Sequence, residues 1–327
     1  MVPENYCLDD ASFSGLLDNS ANFGHDINAL VDVAEGIIGD GQPISVPDSI
    51  ELVKISDDLF FYDLYSIDFS QSDTCGNLDR DTLERLLALR RKLNTISVAN
   101  LVPVSLCEVT GGDAREACIS GVAEIIISQK AAGAECFALL LVGTSTPMSG
   151  EYNLHIGGKL SNKIYTLRFT SDLPLYARWL IRNFSQSEDD FFSLWERAFP
   201  LLFKSDDLTF HNFDGTYMTL HNDVLKHLVF LNDNYLQLWC ECDNDFPCIK
   251  RKAKSGYEID FSNESVSTRS SKSKMKKRTA RFSMNEVVCE LHTKISYDKN
   301  RIHFHPPIGK IGGDKILIGI FVDHLET

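Results

Sequence analysis

The stretch "CELHTKISYDKNRIHFHPP", Cys289–Pro307, decides how the end of the chain is read. Its first half alternates. Cys289, Leu291 and Ile295 fall on one side of an extended chain, with Thr293 among them, and Glu290, His292 and Lys294 fall on the other. The second half alternates too, with Ile302 and Phe304 opposed to Arg301, His303 and His305. The segment Ser296–Asn300 between them is a turn, so the two strands form a hairpin. Side chains on one face must pair with side chains on the same face. One register that satisfies this places Lys294 opposite Arg301, His292 opposite His303 and Glu290 opposite His305. Paired side chains lie within about 5 Å at Cβ. The hairpin therefore gathers imidazoles, two cations and a carboxylate on one face. A third strand follows in "DKILIGIFVDHL", Asp314–Leu325, apolar enough to be central.

Such a face is costly unless something balances it, because Lys–Arg and His–His neighbours repel when charged. An external phosphate would do so, and so would carboxylates of the acidic body upstream. Imidazoles can act as general acid and base, while Lys and Arg stabilise charge building on a phosphorus centre. The candidate catalytic residues are accordingly Glu290, His292, Lys294, Arg301, His303 and His305.

Upstream, the charge is uneven. Residues 1–248 hold 16 Lys+Arg against 37 Asp+Glu, residues 249–281 hold 11 against 3, and residues 282–327 hold 5 against 6, within a net charge of −14. The segment from Lys250 to Arg281 is rich in Ser, Lys and Arg and lacks an apolar period, which reads as a loop or linker. Lys272, Lys274, Lys276, Lys277, Arg278 and Arg281 are its candidate nucleic-acid contacts. It has no interleaved aromatics to stack bases, so binding would be mainly electrostatic. The expected partner is nucleic acid, RNA in particular, or an acidic protein.

The rest reads as an ordinary globular chain, 43% hydrophobic and 24% charged. No apolar run reaches the ~20 residues of a spanning helix, and the first residues lack a secretory pattern. No membrane association and a cytoplasmic location are expected. Helical spacing runs through Ile27, Leu30, Val31, Ala34, Ile37 and Ile38, and again through Leu83, Leu86 and Leu87. The stretch 49–68 reads as two strands. Asp113 caps a helix that ends at Gly133, followed by a continuous apolar strand from Cys136 to Val142, as in a sheet buried on both faces. The Gly111-Gly112 pair before that helix lacks the spacing of a phosphate-binding loop.

The nine cysteines are scattered and odd in number, as in a reduced protein. Cys240, Cys242 and Cys248 have a weak zinc spacing that lacks a fourth ligand. Neither a metal nor any other cofactor is assigned from the sequence. Glu290 and Lys294, with Asp260 as a preceding acid, keep a metal-dependent nuclease open as an alternative.

The order "ELHTKI", "NRIHF", "KILIGIFVDHL" resembles the C-terminal strands of RelE/HigB-type RNA interferase toxins. That resemblance covers about 40 residues, and implies metal-independent mRNA cleavage with Lys294, Arg301 and His303, and then His292, at the scissile phosphate. It would suit a bacterial defence or toxin role. A non-catalytic accessory or scaffold protein, docking through the basic segment, is the other reading. The expected fold is α+β. It has an acidic α/β body at 1–200, a helical segment at 201–248, a basic loop or linker at 249–285, and a β-meander at 286–327 packed on the rest.

Overall fold

A computed structural model of the 327-residue chain describes residue 2 and residues 4–19, 22–66, 79–98, 107–110, 120–143, 148–156 and 159–325. The fold is α+β, and the chain divides between Tyr176 and Ala177 into two compact units. The boundary precedes the expected one near residue 200.

The first unit, Val2–Tyr176, is built on seven strands: β1 Asn5–Leu8, β2 Ile44–Pro47, β3 Asn94–Ile96, β4 Cys107–Thr110, β5 Phe137–Leu140, β6 Gly150–Ile156 and β7 Lys159–Leu167. Their order is β3-β2-β1-β5-β7-β6-β4, with β3, β2, β1, β5 and β7 parallel and β6 and β4 antiparallel at one end. Every residue of β5 is buried, which is what an apolar run covered on both faces requires. The helix Phe23–Gly39 buries Ile27, Leu30, Val31, Ala34 and Ile37, as the spacing predicts. The helix Arg80–Arg90 is capped by Asp79, whose carboxylate accepts from the Thr82 N–H. Its Arg85 reaches Asp32 and Glu35 of the first helix at 2.6 and 2.8 Å.

Residues 50–66 depart from the expected strand pair. They form 3₁₀ turns at Asp48–Leu52 and Phe61–Ser66, joined by a single Lys54–Phe60 bridge. Phe61 and Leu64 are buried three residues apart, a 3₁₀ spacing that strand alternation does not produce. The helix after the Gly111-Gly112 pair is seen from Ser120 to Ala131 and ends at Gly133, φ +96°. The glycine pair and Asp113 lie outside the described residues.

The second unit holds β8 Leu202–Lys204, β9 Asp260–Asn263, β10 Thr279–Phe282, β11 Asn285–Val288, β12 Leu291–Lys294, β13 Arg301–His305 and β14 Ile316–Val322. Five of these form a sheet of order β8-β14-β13-β12-β9, and β10 and β11 form a separate hairpin. The meander β12-β13-β14 is antiparallel, and β8 closes its edge parallel to β14. Leu202–Lys204, at the start of the expected helical segment 201–248, is thus an edge strand. The helices Tyr217–Asp233, Tyr235–Glu241 and Phe246–Tyr257 lie between β8 and β9 in sequence. Tyr235 packs edge-on against Phe261 of β9 and Phe304 of β13, with ring centres 5.8 and 5.2 Å away. That contact defines the apolar face of the sheet.

The expected linker at 249–285 is ordered structure. It contributes most of the Phe246–Tyr257 helix, strand β9, two short helices at Val266–Arg269 and Lys272–Lys276, and strand β10 of the hairpin. Ile249, Ala253, Ile259, Phe261, Ala280 and Phe282 of this segment are buried, while Tyr257, Val266 and Met284 are exposed. Composition misled because the buried apolar positions are widely spaced, while most of the intervening cations face outward.

Candidate functional site

The hairpin pairs in the register that strand alternation predicts. His292 stands opposite His303 and Lys294 opposite Arg301. On its other side β12 pairs with β9, which sets His292 opposite Ser262 and Lys294 opposite Asp260. The polar face therefore runs across three adjacent strands.

This face is closed. His292 is 6% exposed and His303 0%. Glu264, the residue after β9, covers it, together with Arg278, which precedes β10. Both are buried, and Arg278 Nε lies 2.7 Å from Glu264 Oε1. The same carboxylate oxygen is 3.5 Å from His292 Nδ1 and 4.0 Å from His303 Nδ1. The two imidazoles tilt against each other with ring centres 5.0 Å apart. His303 Nδ1 is 3.2 Å from the Cys289 carbonyl, which accepts its proton. The carboxylate that meets the imidazoles is Glu264, supplied by the basic segment itself.

A bulge shapes the floor. Between His303 and Phe304 the register with β14 shifts, and Gly319 is the extra residue. A Cβ at Gly319 would meet Cys289 Sγ at 2.4 Å and Ala280 Cβ at 3.1 Å. Glycine lets β14 approach the segment whose carbonyl holds His303.

Burial pushes the His292 imidazole down to about 2, helped by the charges of His303, Arg301, Lys294 and Arg278. Burial likewise takes His303 down to about 3, against the hydrogen bond to Cys289. Both rings are neutral at pH 7, and a base this weak in a closed interior does not exchange protons with a substrate. The expected acid–base role of His292 and His303 is therefore not supported by the geometry. Arg301 and Lys294 are half-buried at the rim of the face, and neither forms an ion pair among the described residues. Arg301 Nε is buried without a hydrogen-bond partner, and burial lowers its pKa.

Glu290 and His305, expected to pair, lie outside the β12–β13 register and line one cleft with Leu291, Pro306 and Ile308, and His305 Nδ1 approaches the Pro306 carbonyl at 2.6 Å. Among the described residues, Glu290 joins no group of three metal-ligating side chains. Of the expected nucleic-acid contacts, Lys272, Lys276 and Lys277 are exposed and Lys274 is half-buried. Arg278 is removed from that set by its burial, and Arg281 is engaged with Asp206 and Asp207 at 3.2 and 3.3 Å.

The zinc spacing of Cys240, Cys242 and Cys248 resolves differently: Cys242 and Cys248 form a disulfide and Cys240 is a free, exposed thiol. This pair departs from the fully reduced expectation. Glu264 was missed by sequence reasoning because it sits in a Ser-rich stretch with no apolar period. Its one signal was being a lone acid in a basic run.

No helix among the described residues is long and apolar enough to cross a membrane. Comparisons with protein-family models, with curated proteins and with solved structures find no match.

Proposed function

We propose that this is a nucleic-acid-directed protein of the cytoplasm whose second unit docks RNA along the phosphate backbone. One observation carries the reading. Lys250, Arg251, Lys254, Arg269, Lys272 and Lys276 are exposed, and none forms an ion pair among the described residues, in a chain of net charge −14. Surplus acid elsewhere could have neutralised them and does not. Lys250 and Lys254, and Lys272 and Lys276, are each four residues apart in a helix, so each pair shares a helix face. Isolated exposed cations attract polyanions through counterion release rather than base readout.

A second reading, a metal-independent ribonuclease, draws on the resemblance to RelE/HigB-type toxins. The cross-strand pair of Lys294 and Arg301, half-buried and without an ion pair among the described residues, favours it. In that reading these two cations seat the phosphate, and the buried imidazoles only support them.

The test is binding of a labelled single-stranded RNA by fluorescence anisotropy across a salt series, with product analysis on the same samples. Binding should weaken steeply with salt. Reversing Lys272 and Lys276 to Glu should flatten the slope of log K against log salt by about 1.4, at about 0.7 per phosphate contact. Salt-independent binding, or none, sinks the docking reading. Binding to an acidic peptide but not RNA moves it to a protein partner. Cleavage that survives EDTA and is lost in Arg301→Gln supports the second reading.

A further inference from the structure

We propose that Glu264, His292 and His303 form a three-ligand site for a divalent cation of the zinc class, with Arg278 positioning the carboxylate. The three side chains each offer a ligand atom, and those atoms lie within 4.8 Å of one another. Two imidazoles and one carboxylate are a donor set that suits zinc and its first-row neighbours. Ligand atoms around a tetrahedral zinc, at about 2.0–2.2 Å from the ion, stand roughly 3.4 Å apart. The Glu264 Oε1 to His292 Nδ1 separation is 3.5 Å, and no two of the three ligand atoms are more than 4.8 Å apart. Side-chain movements of about an ångström would bring all three onto one ion.

The ligands stand on a rigid frame. His292 and His303 are direct partners on β12 and β13, and Glu264 directly follows β9, the next strand of the same sheet. Sites built on strands hold geometry better than sites on loops. The surroundings also have the second layer of contacts that metal ligands need. The Cys289 carbonyl takes the His303 Nδ1 proton and leaves Nε2 with its lone pair. Arg278 grips the carboxylate at 2.7 Å. His292 Nδ1 and His303 Nε2 are buried without hydrogen-bond partners, a costly state that a bound ion would relieve.

Charge sets the limits. Glu264 is already neutralised by Arg278, so a divalent ion adds positive charge beside Arg278 and Arg301. An anionic fourth ligand as small as hydroxide would offset that charge.

The test uses the full chain dialysed against EDTA and titrated with Co²⁺ and then Zn²⁺. One equivalent of Co²⁺ should give visible d–d bands without a thiolate charge-transfer band. The bands should persist in Cys240→Ser. They should weaken at least tenfold in affinity in Glu264→Gln and His303→Asn, and roughly tenfold in Arg278→Lys, with folding followed by circular dichroism. The wild-type spectrum decides the matter even where a variant does not fold. Absent bands, a thiolate band, or binding that a folded Glu264→Gln and a folded His303→Asn leave unchanged overturns the assignment and leaves the cluster a buried polar network.

Discussion

Both units bury a sheet from two sides, and they do it with opposite chemistry. In the first, β5 is apolar on both faces, "FALL", and nothing polar needs a partner. In the second, β12 and β13 present Leu291, Ile302 and Phe304 to one side and His292 and His303 to the other, and both sides are buried. The apolar face closes by hydrophobic packing, which is tolerant of geometry. The polar face closes only because Glu264 and Arg278 meet it with matched charge. Removing one partner of a buried ion pair strands the other charge, so the second sheet has one region where a single side-chain change is expensive.

The largest expected effect separates the two sheets directly. Glu264→Ala leaves Arg278 charged and uncompensated in the interior and should cost about 3–5 kcal/mol in a urea unfolding experiment. A double change of Glu264 and Arg278 to Met should recover much of that loss. If the single change is neutral, the polar face is not a paired network. In the first sheet, Leu139→Ala should cost about 3 kcal/mol through cavity formation alone, with no charged partner whose removal rescues it.

A third prediction concerns pH. His227, buried in the Tyr217–Asp233 helix, is pushed down from 6.5 to about 4 by burial first and by Lys226 second. Its folded form therefore binds fewer protons than its unfolded form across that window. The stability it contributes is complete above pH 6.5 and is lost as pH falls through about 4, up to about 3 kcal/mol. His227→Leu should flatten the dependence of unfolding free energy on pH by one proton's worth between those values. An unchanged slope would mean that the ring stays solvated.

The smallest effect comes from the nearest comparison. Arg278 and Arg281 lie three residues apart, one buried against Glu264 and one exposed on Asp206 and Asp207. Arg281→Gln should cost less than about 1 kcal/mol and vanish in high salt. A cost comparable to that at Arg278 would erase the distinction between the two sites.

The same contrast explains what the sequence disclosed. Period-two alternation was enough to pair His292 with His303 and Lys294 with Arg301, because register follows from which residues share a face. Period 3.6 placed the helices Phe23–Gly39 and Arg80–Arg90 for a similar reason. Alternation says which residues share a face, but not what lies over it. The polar face read as awaiting a phosphate or the upstream acidic body, because the segment that covers it looked like a linker. The decisive partner, Glu264, comes 28 residues before His292 in a run dominated by Ser, Lys and Arg. Only the fold of β9 onto β12 joins them.

The pairing of β8 with β14 has a kinetic consequence. Leu202 lies beside Ile316, so the sheet closes a loop of more than a hundred residues. The strand that closes it, β14, is also the neighbour of the His303 strand. Local helices such as Tyr217–Asp233 can form on their own schedule, whereas this closure is a non-local event whose entropy must be met before its contacts stabilise anything. Refolding of the second unit should then be slow relative to helix formation. The Glu264–Arg278 pair would be desolvated only in the last stage, once β14 has arrived to seat the bulge at Gly319.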